Sequence, residues 1–181
     1  MKHKFRYLFY LLVIPIIIIL LDQYTKTLVR QSLALGESIT PFDALPFVRI
    51  LHWYNTGVAF GLFQGGGIIF ILLPIIILIG IIVYFPRIPD NEWSLRLALS
   101  LQFAGAVGNL IDRITIGHVT DFISISSFPV YNVADSSITV GVVVMLLGVW
   151  IQEKRDKAAR EASSANQSET DNTLTEFREL S

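Results

Sequence analysis

The sequence predicts an all-α integral membrane protein with four transmembrane helices, both termini cytoplasmic, and a small extracytoplasmic β-sheet or loop subdomain. Three observations carry this. The 181-residue chain is 52% hydrophobic, with a mean hydropathy of +0.57, more apolar than soluble domains of this size. Its apolar residues gather in four stretches, each near the roughly 20 residues needed to cross about 30 Å of hydrocarbon. Its basic residues are spread unevenly around those stretches, which sets the orientation.

The first span covers about residues 7–27 and is densest at Leu11–Leu21. Lys2, Lys4 and Arg6 precede it as in a secretory signal, but no small-residue cleavage pattern follows. Asp22-Gln23-Tyr24-Thr25-Lys26 comes instead, so a retained span is expected. In the outer loop, residues 28–67, Phe47-Val48-Arg49-Ile50-Leu51-His52-Trp53-Tyr54 has strand-like composition and partial alternation. It predicts a small sheet against the outer surface. Gly57-Val58-Ala59-Phe60-Gly61 and Gly65-Gly66-Gly67 predict close backbone approach and a flexible return to the membrane. The remaining spans are about 68–85, 93–111 and 133–151; Pro15 and Pro74 fall inside spans, where kinks are tolerated. Residues 1–151 thus form a membrane domain, and 152–181 a cytoplasmic tail, partly helical or disordered.

Four spans put the termini on one side. That side holds Lys2, Lys4, Arg6, Arg87, Arg96, Lys154, Arg155, Lys157, Arg160 and Arg178, and the other only Lys26, Arg30, Arg49 and Arg113. The richer side is cytoplasmic, so loops 28–67 and 112–132 lie outside. The chain has no cysteine, which excludes disulfides, thiol nucleophiles and thiolate metal sites. His3, His52 and His118 are dispersed without ligand spacing, so no metal is expected. No GxSxG elbow, phosphate-binding glycine loop or basic stripe for nucleic acid is present.

The polar residues within this apolar chain need reasons, because a charge at the bilayer centre costs about 2.5–3.5 kcal/mol on insertion scales. Asp121 follows the third span and a turn at Ile116-Gly117-His118, and Asp135 opens the fourth span. The loop between them is long enough to bring both carboxylates together. Two close carboxylates cannot both ionise easily, so one keeps a proton while the other can take one from water. Spacing leaves a second reading open, with Asp121 a solvated loop residue and Asp135 a helix cap. Asn132 and Asp135 fit a capping box, and the helix dipole makes Asp135 the readier base and Asp121 the proton holder.

Asn109, Asp112 and Arg113 read as a polar network at the helix ends, with Asp112 paired to Arg113 or a distant cation. Gly105 and Gly108 fit close helix packing or leave room for substrate. Asp22 and Lys26 have ion-pair spacing, with Lys26 free to snorkel, structurally or toward a substrate head group. Asn55 either orients substrate backbone or stabilises a turn.

Five segments in order resemble the bacterial lipoprotein signal peptidase family, also called signal peptidase II. They are Asp22-Gln23-Tyr24-Thr25-Lys26, the run Asn55–Gly61 (NTGVAFG), the run Gly105–Arg113 (GAVGNLIDR), Val119-Thr120-Asp121-Phe122, and the run Tyr131–Ser137 (YNVADSS). They span roughly residues 7–150, and Tyr131 departs from the more usual phenylalanine. The resemblance implies a four-span aspartyl endopeptidase of the bacterial inner membrane, with its site near the outer leaflet. It cuts diacylglyceryl-modified prolipoproteins before the lipidated cysteine, needs no metal or cofactor, and is inhibited by the cyclic peptide globomycin. It implies Asp121 and Asp135 as the catalytic pair. The supporting or substrate-binding positions are Asp22, Lys26, Asn55, Gly57, Gly105, Gly108, Asn109, Asp112, Arg113, Asn132 and Ala134. A monomer holds such a site. The loop Asn55–Gly67 is expected to close over substrate. The residues alone also admit a small ion-coupled transporter or channel subunit, or a membrane scaffold. Acids clustered at one face without an internal repeat weigh against the transporter.

Overall fold

The computed structural model describes residues 9–57 and 67–179. Among them four helices are long and apolar enough to cross a membrane: Phe9–Ser32, Ile69–Arg87, Trp93–Ile116 and Val133–Glu161. They coincide with the four expected spans, but their ends differ.

Helix α1 (Ile14–Ser32) is entered through a π-helical turn at Phe9–Val13. Pro15 lies in its first turn, where a missing N–H costs nothing, so it starts the α-helix and does not kink it. Two strands follow, β1 (Ser38–Ile39) and β2 (Val48–Asn55). Helix α2 (Ile69–Tyr84) carries Pro74 internally and ends in a 3-10 turn at Phe85–Arg87. Helix α3 (Trp93–Ile116) stops at Gly117, whose φ of 80° is left-handed and natural for glycine. It runs past the expected end at 111 because Asp112 and Arg113 find partners in other elements. Strand β3 (Val119–Ile125) and helix α4 (Val133–Glu179) complete the chain.

The chain divides into two compact units, Met1–Val144 and Met145–Ser181. The second is the later course of α4. There the Lys154 ammonium lies 4.1 Å from the Trp150 ring centroid, and Lys157 and Glu161 approach at 3.9 Å.

In the first unit the usual burial is inverted. Leu20 and Ile76 are each 64% exposed, while Asp22, Lys26 and Asn132 are 0% exposed. Helices in lipid gain little from burying leucine, and they associate through close packing and polar bonds. Gly105 and Gly108 supply the packing. A Cβ on Gly105 would lie 2.6 Å from both Ser137 Oγ and Ile138 Cγ1, and one on Gly108 would lie 2.7 Å from Asp22 Oδ2. The room they were expected to leave for substrate is therefore filled by α4 and α1.

The three strands form an antiparallel sheet in the order β1-β2-β3, with Tyr131 bridging to Ile123 on the far side of β3. Its third strand comes from the connection between α3 and α4, so Asp121 sits on a strand and is 1% exposed. The solvated-loop reading of Asp121 is thereby corrected. Phe122 anchors the sheet against Val29 and Leu33 of the α1 end. Between β2 and β3 the register passes from Ile50↔Ile123 to Trp53↔Asp121. Leu51 and His52 thus oppose Phe122 alone, a β-bulge. One extra residue reverses which face each later side chain takes, so the bulge puts Trp53 and Asn55 on the face of Asp121. The bulge is pinned: His52 N–H donates to Glu37 O at 3.0 Å, its carbonyl accepts from Gly36 N at 2.8 Å, and Nδ1 donates to Leu33 O at 2.9 Å.

Candidate active site

The polar residues converge where the C-terminal ends of α1 and α3 meet the N-terminal end of α4 and the sheet. Lys26 is the hub. Its Nζ lies 2.8 Å from Asp22 Oδ2 and 3.4 Å from Asp112 Oδ2, and donates to Asn109 Oδ1 at 2.9 Å. With two carboxylates and an amide around it, Lys26 has no need of water and does not snorkel as expected. Asp22 Oδ1 accepts the Ala134 backbone N–H at 2.9 Å, which ties α1 to the first turn of α4. Ala134 is itself wholly buried and acts through that N–H. Asp112 does not pair with its neighbour Arg113. It accepts Thr120 N–H at 3.0 Å and faces Lys26 and, at 3.7 Å, Arg30.

A chain of amides leads from this ion cluster to two further carboxylates, Asp121 and Asp135. Asn109 Nδ2 donates to Asp135 Oδ1 at 2.7 Å. Asn132 Nδ2 donates to Asp121 Oδ1 at 2.7 Å and to Asn109 Oδ1 at 3.1 Å. The expected capping box is present: Asp135 N–H donates to Asn132 Oδ1 at 2.9 Å, and Asn132 N–H to Asp135 Oδ2 at 3.3 Å. Asn55, re-aimed by the bulge, donates to Asp121 Oδ2 at 2.8 Å. Its Oδ1 also accepts Gly57 N–H at 3.0 Å, which is the turn-stabilising reading of Asn55. Arg113 donates to Gly57 O at 3.4 Å and lies over the Phe70 ring at 5.8 Å.

Asp121 and Asp135 are thus joined through one asparagine, Asn132. Burial first, then the Asp135 charge, pushes the Asp121 carboxyl up from 3.8 to about 7, against the opposing pull of the Asn55 and Asn132 hydrogen bonds. At neutral pH such a group is poised to hold or release a proton. A cavity of about 590 Å³ opens beside Asp135, lined by the polar Asn55, Arg113 and Asp135 and by the apolar Phe128, Val130 and Ile138. Among the described residues no three His, Asp or Glu side chains are grouped to hold a metal ion. Two linked acids, one of them lining an apolar cavity, can activate a water and polarise a carbonyl.

Comparison with known proteins decides the class. The family model for signal peptidase (SPase) II matches residues 14–151. The chain belongs to the signal peptidase II family. Among its relatives are lipoprotein signal peptidases of Anoxybacillus flavithermus, 36% identical over 87% of this chain and 94% of the relative, and of Staphylococcus aureus, 34% identical over 87% and 99%. A solved bacterial membrane enzyme superimposes with a TM-score of 0.73 at 33% identity, over 78% of this chain and 87% of the other. A second does so at 0.69 and 34%, over 76% and 90%. The chain is accordingly a peptidase, and of the aspartic type known for signal peptidase II. Nothing in the comparisons favours a transporter.

Every site residue expected from the sequence lies in this region of the peptidase. Asp22, Lys26, Asn109, Asp112, Asn132 and Ala134 form its interior; Asn55, Gly57, Arg113 and Asp135 line the cavity; Gly105 and Gly108 set the helix spacing. The expected closing loop falls largely on residues 58–66, outside the described residues. Sequence reasoning missed Gln23, Arg30 and Thr120. Gln23 Nε2 donates to Gly108 O at 3.0 Å, and Arg30 donates to Thr120 Oγ1 at 3.0 Å. Asp22, Lys26 and Arg30 recur every four positions, so that spacing already places Arg30 on the polar face of α1.

Proposed function

We propose that this peptidase removes the signal peptide from diacylglyceryl-modified prolipoproteins by cutting before the lipidated cysteine, with Asp121 and Asp135 as the catalytic pair. The observation that carries the assignment is two carboxylates, Asp121 buried and Asp135 half-buried at an apolar cavity, held by shared amides in unlike surroundings. Asp121 sits on a strand among two amides, with its proton affinity raised to about 7. Asp135 opens a helix and accepts from Asn109 and from the backbone of Asn132.

In the reaction Asp135 takes a proton from water as its oxygen adds to the scissile carbonyl carbon. Asp121, protonated, hydrogen-bonds the carbonyl oxygen and stabilises the developing oxyanion. The tetrahedral intermediate collapses, the C–N bond breaks, and the proton on Asp135 passes to the departing amine, which becomes the α-amine of the lipidated cysteine. The apolar signal segment occupies the cavity along α4, between Phe128, Val130 and Ile138.

In this reading the chain is a monomer in the bacterial inner membrane with both termini cytoplasmic. The excess of basic residues at the termini and at Arg87 and Arg96 supports that orientation. The site then lies near the outer leaflet, where a lipid-anchored substrate presents its cleavage point. Cyclic peptides of the globomycin type block the cavity. The test is a gel-shift assay of purified protein on lipidated precursor, wild type beside Asp121→Asn and Asp135→Asn. Both variants should insert and fold yet leave the precursor uncut. Cleavage at wild-type rate by either would refute the assignment.

A further inference from the structure

An endopeptidase must hold its substrate on both sides of the bond it cuts. The cavity runs from Asp135 along α4, and Trp53 is not among its walls. Yet Trp53 is the cross-strand partner of Asp121. Paired residues on adjacent strands project to the same face, and Asn55, two residues on, reaches Asp121 Oδ2 from that face at 2.8 Å. The bulge at Leu51–His52 is what turns Trp53 to this side. The indole is 50% exposed, although the aspartate opposite it is 1% exposed. A large aromatic ring thus stands open on the face of a buried carboxylate, outside the residues that line the α4 cavity.

We propose that Trp53 is a substrate-contact residue for the departing side of the scissile bond, packing against the S-diacylglyceryl cysteine that becomes the new N-terminus. This rests on the reading of Asp121 and Asp135 as the cutting pair. The chemistry suits the occupant. An indole presents an apolar face with one N–H donor, the combination that settles at the ester and glycerol level of a membrane. The diacylglyceryl thioether brings apolar chains and ester carbonyls to that level. With the signal segment in the cavity and the lipidated cysteine on the indole, the scissile carbonyl spans Asp135 and Asp121.

The test has two arms, both on the full chain. In the first, cleavage of lipidated precursor is followed for Trp53→Ala and Trp53→Phe. Trp53→Ala should raise KM about tenfold, the size of one aromatic contact, with kcat within about twofold, and Trp53→Phe should restore most of the loss. In the second, Trp93→Phe and Trp150→Phe leave Trp53 as the one tryptophan of the three, with Asp135→Asn to prevent turnover. Its emission should shift to the blue on adding a peptide that begins with S-diacylglyceryl cysteine, and stay unchanged with the free signal peptide. An unchanged KM, a loss in kcat alone, or a shift caused by the signal peptide instead would overturn the proposal. So would equal losses on lipidated and unlipidated precursor, which would make Trp53 a membrane anchor only. If Asp121→Asn and Asp135→Asn still cleave, the parent reading falls and takes this one with it. If they are inert and Trp53→Ala is silent, only this proposal falls.

Discussion

Replacing Asp121 by asparagine should abolish cleavage and at the same time stabilise the fold, increasingly so as pH rises. The carboxyl has an ordinary value of 3.8 and is raised to about 7 by burial and by the Asp135 charge. Below 3.8 both folded and unfolded chains hold the proton, and stability is indifferent to pH. Between 3.8 and 7 the unfolded chain releases it while the folded chain keeps it, so stability falls with rising pH. Above 7 the loss levels off at about 4 kcal/mol, from about three pH units at 1.36 kcal/mol each. Asparagine removes that loss but has one acceptor oxygen, so it forfeits one of the bonds from Asn55 and Asn132, at about 1–3 kcal/mol. That forfeit does not depend on pH and cancels in a comparison across pH. Between pH 5.0 and 8.5 the stability of Asp121→Asn relative to wild type should therefore rise by about 3 kcal/mol. Thermal unfolding of both proteins in detergent across that range measures it. A flat difference, or one of opposite sign, would show that folded Asp121 is ionised at neutral pH and would refute the proton-holder role.

The same proton predicts that single-turnover cleavage declines above about pH 7, approaching tenfold per pH unit as Asp121 loses it; a rate level to pH 9 would contradict this. Lys26→Met should cost about 3–5 kcal/mol by leaving Asp22 buried without its cation and Asp112 with Arg30 alone. Adding Asp22→Asn should recover part of it in thermal melts, and a cost under about 1 kcal/mol would mean the cluster is hydrated. Gly105→Ala should destabilise by about 1–3 kcal/mol through its clash with the Ala134 carbonyl and with Ser137 and Ile138. Gly80→Ala, with open space around the new methyl, should be neutral or slightly stabilising in the same melts.

The four crossings are legible in the sequence because lipid demands long apolar runs, and the 3.6-residue period of α1 already aligns Asp22 with Lys26. The helix ends are not legible by the same signal. Asp112 and Arg113 look like a boundary, because hydropathy cannot know that Lys26, Arg30 and Gly57 wait to satisfy them. Strand β2 shows in its alternation, but β3 does not. Its residues are buried on both faces, so Phe122-Ile123 breaks the alternation that would mark a half-buried strand. The bulge is a matter of pairing between segments about 70 positions apart. No local pattern in β2 reveals that Asn55 and Trp53 share the face of Asp121.

The polar cluster does more than neutralise charge, because it fixes which way two amides point. Asn109 could present either end of its amide to Asp135. Its oxygen is claimed by the Lys26 ammonium and by Asn132 Nδ2, so its nitrogen must face the carboxylate. Asn132 is constrained in the same manner, for its oxygen caps α4 by accepting the Asp135 N–H, which leaves its nitrogen to donate to Asp121. A buried ion and a helix terminus thus impose donor orientation on the groups that touch the two acids, without touching those acids with a full positive charge. A lysine directly on either carboxylate would hold it ionised and forfeit the shared proton. Delivering the field through amides keeps both acids hydrogen-bonded while leaving one of them free to carry a proton at neutral pH. This explains why Lys26 lies wholly buried one residue removed from the chemistry, at a desolvation cost that three polar partners offset.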